Sequence, residues 1–193
     1  ELMDYTTTWV NELQAKSVAE TAHRQFGWTD DDMKSFVLGN QEIFGDRIDF
    51  NPPASNTIAM FPAFESKGTL EGWKETIAFL DQDGQEAYQY VLGAAFGSIL
   101  MKLMPVSCSM LHLHSDDSGL GKTTAQFAGL GVWGSPEELI LSKEDKYLAK
   151  MNRAEIYNNL PFFMDEVTNM SSGELSDMAY QLYGGKQRRR LTS

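Results

Sequence analysis

Apolar residues in the first hundred positions recur mostly at helical spacing. Four of them between Trp9 and Arg24 approximate one helical face and predict a first helix there. The segment GTLEGWKETIAFLDQ has a threonine N-cap, and its large apolar residues share one face, which predicts a second helix. The segment QEAYQYVLGAAFGSILMKLM is mostly apolar and is typical of a third, centrally packed helix.

A small sheet is predicted between Phe36 and Phe64. Two short β-prone runs flank Gly39 and Asn40, the pair of residues best suited to a tight hairpin turn. The runs RIDF and TIAMFPAF supply further strands downstream, and two consecutive prolines keep the connection between those runs irregular.

The pattern changes after Pro105 to an alternation of short apolar strands, a glycine loop and helices. The strands are predicted at residues 107–114, 138–141 and 160–164, an order typical of a parallel α/β sheet. The sequence therefore predicts an α/β fold with two parts. Residues 1–104 form a mainly helical subdomain with a small β element, and residues 105–193 form the parallel-sheet core.

Composition and charge narrow the classes of protein. The chain has 193 residues, of which 42% are apolar, and a formal charge of −11, which argues against a protein that coats duplex DNA nonspecifically. The longest apolar run, YVLGAAFGSILM, is too short to span a bilayer. The single cysteine, Cys108, favours a reducing compartment, so a cytoplasmic protein is expected. A first residue other than methionine suggests a fragment of a longer protein.

The stretch HSDDSGLGKTT ends like a phosphate-binding loop, in which backbone N–H groups and a helix N-terminus surround phosphates. The predicted ATP-binding residues are Ser118, Gly119, Leu120, Gly121, Lys122, Thr123 and Thr124. Lys122 is expected to bind the β- and γ-phosphates, and the Thr123 hydroxyl to ligate Mg²⁺. Asp116 stands where the motif has its first glycine, which weakens the motif because a carboxylate repels phosphate.

A second motif, NNLPFFMDEV, places two acids directly after an apolar strand. Ligands of open α/β sheets bind at such strand ends. Asp165 is expected to hold Mg²⁺ through water, and Glu166 to accept a proton from the attacking water. The alternative is a chance pair of acids that caps the next helix. Together the two motifs predict a P-loop NTPase core.

The densest basic cluster lies near the C-terminus, in GGKQRRRLTS. It consists of Lys186, Arg188, Arg189 and Arg190. These residues are candidates for binding a nucleic-acid backbone or for acting as an arginine finger in a neighbouring subunit. A solvated tail is the alternative.

Several of these blocks resemble one family. The blocks HLHSDDSGLGKTTAQFAGLGVWGSPEEL and EIYNNLPFFMDEVTNM are similar to helicase-like ATPases of bacteriophage, plasmid and cassette replication proteins. Those ATPases are often filed as a domain of unknown function and are similar to AAA+ and superfamily 3 replicative helicases. The likeness covers residues 36–190.

The resemblance implies a RecA- or AAA+-like DNA helicase that hydrolyses ATP with Mg²⁺ and moves on single-stranded DNA. It implies a homo-oligomeric, typically hexameric ring, a primase or polymerase domain upstream, and the cytoplasm of a bacterial host for a phage protein. The family roles fall on Lys122, Thr123, Asp165 and Glu166. The family has glycine at 116 and serine at 119, whereas this chain has Asp116 and Gly119.

The sequence ends at Ser193, before the strand that carries the sensor residue in such ATPases. Unless Arg188, Arg189 or Arg190 serves as the arginine finger, weak turnover is expected of this fragment. Two rival functions remain open. One is a P-loop phosphotransferase, and the other is a noncatalytic nucleotide-binding assembly module.

Overall fold

The computed structural model describes residues 2–16, 22–106, 108–117, 119–142, 144–165 and 170–184. Most regular structure in these ranges is helical. The α-helices are α1 (Leu2–Lys16), α2 (Leu70–Ile77), α3 (Glu86–Gly97), α4 (Lys122–Leu130), α5 (Pro136–Leu139), α6 (Tyr147–Tyr157) and α7 (Ser172–Gly184). Short 3-10 helices occupy Ile58–Phe64, Ala78–Leu80 and Ser98–Leu103. None of the described helices is long and apolar enough to cross a membrane.

The predicted helices before Pro105 are largely confirmed. Thr69 caps α2, because its side-chain oxygen accepts a hydrogen bond from the backbone N–H of Gly72 at 3.1 Å. The apolar segment after Gln85 forms α3 and continues as a 3-10 helix. The first helix begins earlier than predicted, at Leu2, and residues 17–21 of its predicted range lie outside the described residues. The end of that prediction is wrong, because residues 22–24 are not helical.

The described strands form one antiparallel sheet of four short strands in sequential order: β1 (Gly27–Trp28), β2 (Phe36–Leu38), β3 (Gln41–Ile43) and β4 (Ile48–Phe50). The predicted hairpin is confirmed, since Gly39 and Asn40 connect β2 to β3 and Gly39 has a φ of +57°. The run TIAMFPAF is a 3-10 helix and not a strand. Pro62 lies within it and has no N–H to donate to a sheet.

The predicted α/β fold, a P-loop NTPase with a parallel-sheet core, is wrong. The sheet is antiparallel and lies before Pro105, and residues 108–114 have no regular structure. The first half of the predicted strand at 138–141 belongs to α5 instead, because Pro136 begins a helix whose first turn contains Glu137 and Glu138. The predicted strand at 160–164 is also wrong, since residues 161–163 have no regular structure. In the described part, parallel pairing is limited to an isolated bridge between Leu141 and Met164.

An aromatic core connects the sheet to the helices. Its buried residues are Phe26, Phe36, Val37, Ala63, Phe64, Leu130, Leu139, Ile156, Tyr157 and Leu160. The rings of Phe26 and Phe64 meet edge to face with centroids 4.8 Å apart, and Tyr157 packs against Phe64 at 5.7 Å. Residues from both sides of Pro105 thus share one core. The predicted domain boundary at that position stays a prediction.

Candidate functional site

The glycine loop leads directly into helix α4. Gly119 and Gly121 have φ angles of +78° and +77°, in the left-handed region that glycine enters at little cost. Gly121 is the N-cap of α4, and its carbonyl accepts the first backbone hydrogen bond of the helix, from Ala125 at 2.9 Å. The N–H groups of the first helical turn have no acceptor within the helix and point toward the loop. This arrangement is suited to an anion.

Tyr88 of α3 fixes the loop from the side. Its hydroxyl donates a hydrogen bond of 2.6 Å to the carbonyl of Leu120. A Cβ atom added at Gly121 would overlap that hydroxyl, so a larger residue there requires the Tyr88 side chain to move. Farther along α4, a Cβ at Gly129 would lie 2.8 Å from the ring of Phe163. The two glycines allow α4 to pack tightly on α3 and on the second motif.

Lys122 begins α4, and its ammonium group stays at the loop. Its Nζ donates to the carbonyl of Asp117 at 3.3 Å. Thr123 and Thr124 follow in the first helical turn with exposed side chains. Ser118 lies outside the described residues. The amine, the hydroxyls and the glycine backbone therefore meet at one helix N-terminus.

Asp116 occupies the position of the missing glycine, and its side chain is 99% exposed. Its carboxylate lies 4.0 Å from Nε2 of His114. The local turn is closed by Ser115 instead, whose hydroxyl donates to the carbonyl of Asp117 at 2.9 Å. In this conformation the Asp116 carboxylate is solvated, which reduces its repulsion of a bound anion.

In the second motif, NNLPFFMDEV, Met164 forms the isolated parallel bridge with Leu141. The N–H of Leu141 donates to the carbonyl of Phe163 at 3.1 Å, and the N–H of Asp165 donates to the carbonyl of Leu141 at 2.8 Å. The bridge therefore fixes the backbone of Asp165. Glu166, the predicted general base, lies outside the described residues.

Gln126 joins the two motifs. It lies one helical turn after Lys122, and its Nε2 donates a hydrogen bond of 2.9 Å to the carbonyl of Met164, the residue before Asp165. Its Oε1 is buried and has no hydrogen-bond partner among the described residues. Sequence reasoning did not identify Gln126 or Tyr88. Their partners are 38 and 32 residues away in the chain, so no local pattern reveals them.

The predicted metal ligands and the basic cluster complete the set of predicted site residues. The described residues contain no group of three His, Cys, Asp or Glu side chains that could hold a metal ion. Mg²⁺ bound to a nucleotide requires only one or two carboxylates, because phosphates and water complete its shell. Thr123 and Asp165 carry oxygen donors of the kind that such a partial set uses. Lys186, Arg188, Arg189 and Arg190 lie outside the described residues.

The fold and the site together define a mostly helical protein with a glycine loop at the N-terminus of one helix, tied by Gln126 to an acidic motif. The chain belongs to the DUF927 family, a domain of unknown function, whose family model matches residues 4–192. No curated protein and no solved structure matches the chain. The family description states no activity, so the helicase-like resemblance stays a prediction.

Proposed function

We propose that this chain binds and hydrolyses ATP with Mg²⁺ as the ATPase part of a replicative DNA helicase from a phage or mobile element. One observation carries the proposal. Gln126 ties the helix that begins with Lys122 and Thr123 to the backbone beside Asp165. Two segments about forty residues apart, each with the residue types of a nucleotide site, are thereby held together.

The glycine loop supplies the phosphate-binding part of the proposal. Two glycines in left-handed conformations lead into the positive end of α4, and a lysine amine lies at the same point. Lys122 would neutralise the β- and γ-phosphates, and the Thr123 hydroxyl would ligate Mg²⁺. The current hydrogen bond from Lys122 to the Asp117 carbonyl is long and easily exchanged for one to a phosphate oxygen.

The acidic motif supplies the hydrolytic part. Asp165 would hold Mg²⁺ through water, while Glu166 would accept a proton from the attacking water. The water oxygen forms a bond to the γ-phosphorus, the bond from that phosphorus to the bridging oxygen breaks, and ADP leaves with the electron pair. A glutamate beside the metal-binding aspartate favours water as the acceptor of the phosphoryl group.

Single-stranded DNA and a ring of identical subunits complete the proposal. The formal charge of −11 restricts contact with DNA to local basic groups. Arg188, Arg189 and Arg190 are the candidates, either inside the ring or as arginine fingers. This part of the proposal depends on the sequence resemblance and the basic cluster.

The test is ATP hydrolysis with and without single-stranded DNA, in the intact protein and in three variants. Lys122→Met is expected to lower kcat/KM by about 100-fold or more, whereas Lys74→Met, an exposed lysine on α2, leaves it unchanged. Glu166→Gln should bind ATP without turnover. Transfer of phosphate to a small molecule would instead identify a phosphotransferase, and binding without turnover in the unmodified protein would identify a noncatalytic module.

The DNA part has its own test. Replacing Arg188, Arg189 and Arg190 together by alanine should remove the stimulation of ATP hydrolysis by DNA. If the stimulation stays, the role of this cluster in DNA binding is wrong, whatever the result for Lys122.

A further inference from the structure

A cavity of about 1000 Å³ opens on the side of helix α6. Its lining comes from residues 23–25, 28–29, 55–56 and 60, from one face of α6, and from Leu141 and Asp145. No residue of the glycine loop is among the described residues that line it. The volume suits a small molecule of nucleotide size, and the cavity is not used by the proposed ATP site.

Hydrogen bonds between distant parts of the chain hold the walls in place. The N–H of Phe26 donates to the carbonyl of Ile156 at 2.7 Å, and Nε2 of Gln25 donates to the carbonyl of Glu155 at 3.0 Å. Across the mouth, Nδ2 of Asn56 donates to the carbonyl of Arg24 at 2.9 Å. The cavity is therefore built by the tertiary fold and does not depend on a single loop.

Two arginines line this cavity although they lie 129 positions apart in the chain, at Arg24 and Arg153. Among the described residues, neither forms an ion pair with a carboxylate, whereas Arg47 at the surface pairs with Asp49 at 2.9 Å. Arg153 is held at two points, because its Nη1 donates to the carbonyl of Glu138 at 3.2 Å and its guanidinium also interacts with the hydroxyl of Tyr157. Since a guanidinium has five N–H donors, both arginines retain donors for an anion.

Two acids in the lining limit how much negative charge the cavity accepts. The Asp145 carboxylate already accepts from the backbone N–H of Ser142 at 2.7 Å and from its hydroxyl at 3.3 Å. The Glu155 side chain is exposed to solvent. Two guanidiniums beside one hydrogen-bonded acid and one solvated acid suit a single phosphate dianion better than a triphosphate, whose extra charges find no partner.

Apolar side chains complete the lining beside these charges. Trp28, Met60, Leu141 and Ile156 line the cavity, and the indole N–H of Trp28 is fixed by a hydrogen bond of 2.9 Å to the carbonyl of Ile99. A held aromatic ring in the same cavity as two arginines is suited to a flat organic group that carries a phosphate.

We propose that this cavity binds a phosphomonoester of mononucleotide size, with its phosphate on Arg24 and Arg153 and its organic part against Trp28. The proposal is independent of the proposed ATPase activity, because it uses none of the residues of the glycine loop or the acidic motif.

The experiment titrates the intact protein with AMP in the absence of Mg²⁺, by calorimetry and by the NMR signal of the Trp28 indole N–H, assigned with Trp28→Phe. AMP is expected to bind and to shift that signal. Arg24→Gln and Arg153→Gln should each raise the Kd for AMP about tenfold, the loss of one charge-assisted contact. Arg24→Lys keeps the charge but loses the planar guanidinium. Its Kd for AMP should lie between that of the glutamine variants and that of the unmodified protein.

Controls separate this cavity from the other anion-binding candidates. Arg47→Gln and Lys122→Met should leave the Kd for AMP unchanged, while ATP should bind at this cavity more weakly than AMP. Titrations with inorganic phosphate and with adenosine measure separately how tightly the cavity binds the phosphate and the organic part of AMP. Binding of phosphate as tight as that of AMP would assign the site to free phosphate, and would overturn the role of Trp28.

Three results would overturn the whole proposal. They are an unchanged Kd for AMP in both Arg24→Gln and Arg153→Gln, loss of AMP binding in Lys122→Met, and no binding of AMP or phosphate at millimolar concentration. A shift of the Trp28 signal by an oligothymidylate strand but not by AMP would contradict it as well, in favour of nucleic acid. Because Arg24 is exposed, Arg24→Gln is expected to fold, so a change in its Kd for AMP reports on binding and not on unfolding.

Discussion

The aromatic core and the glycine-loop segment, residues 108–121, contain similar kinds of apolar residues but differ in burial. Phe26 in the core is 1% exposed, while Met110 and Leu120 in the segment are 55% and 58% exposed. The core is closed by polar contacts across the chain, such as the hydrogen bond of 3.1 Å from Nδ2 of Asn158 to the carbonyl of Phe26.

The difference shows what an apolar run requires in order to become part of a core. The buried side chains of Phe26, Phe36 and Val37 share one core with residues of α4, α5 and α6. Residues 108–114 meet no partner strand within the described ranges and stay without regular structure. The glycine loop that follows is shaped by backbone conformation and by Tyr88 instead of by burial.

The largest expected effect contrasts the two regions directly. Phe26→Ala should lower the free energy of unfolding by about 3 to 5 kcal/mol, because it leaves a cavity beside Phe64 and Phe61. Leu120→Ala removes an exposed side chain and should change it by less than about 0.5 kcal/mol. Urea unfolding measures both values. Similar losses in the two variants would mean that the glycine-loop segment is packed as tightly as the core.

A second contrast lies within the loop, between its two left-handed glycines. Gly119→Ala should cost about 1 to 2 kcal/mol from the left-handed backbone alone, since no atom lies within 4 Å of an added Cβ. Gly121→Ala should cost more, because the Cβ overlaps the Tyr88 hydroxyl. Thermal unfolding of Gly121→Ala in a Tyr88→Phe background tests the cause. If removing the hydroxyl does not reduce the penalty, the contact with α3 is not the reason for glycine at 121.

The third prediction concerns the bond that links loop and acidic motif. Gln126→Glu loses the donor to the Met164 carbonyl and should lower the free energy of unfolding by about 1 to 3 kcal/mol. Gln126→Met should cost less, because it also removes the buried Oε1, which has no hydrogen-bond partner in the described part of the chain. Gln89→Glu is the matched control. The Gln89 side chain donates a hydrogen bond of 2.6 Å to the carbonyl of Leu80, which belongs to neither motif.

The two glutamine variants also separate stability from function. Under the proposed ATPase activity, Gln126→Glu should lower ATP turnover in addition to stability, whereas Gln89→Glu should lower stability alone. Equal effects on turnover would show that Gln126 does not position Asp165.

What the sequence predicted correctly depends on signals within a few residues. The turn at Gly39 and Asn40 and the cap at Thr69 are decided by backbone conformation and by one hydrogen bond three residues away. The loop preceding α4 was predicted for the same reason, because its glycines and its helix start are adjacent in the chain.

The predicted parallel sheet failed because sheets depend on distant pairing. A short apolar run predicts a strand only if a neighbouring strand exists, and the local helix signal at Pro136 prevailed over the expected strand at 138–141. The contacts made by Tyr88 and Gln126 are equally distant in the chain and equally invisible in its local patterns. The predicted roles of Lys122, Thr123 and Asp165 stay predictions, because structure locates these residues without testing their chemistry.

The smallest expected effect concerns Cys108, which begins the glycine-loop segment. Partial burial raises the pKa of the Cys108 thiol, and its Sγ lies 3.7 Å from the carbonyl oxygen of Ser109. Iodoacetamide should therefore alkylate Cys108 more slowly in the folded protein than in urea, since the thiolate is the nucleophile. Because the folded pKa is the higher one, this thiol's contribution to stability is present below the unfolded pKa and is lost as pH rises through the folded pKa. Cys108→Ala should lack that pH dependence. Equal alkylation rates in the folded and unfolded protein would show that Cys108 is as solvated as Met110 and Leu120. The whole glycine-loop segment would then differ from the buried aromatic core.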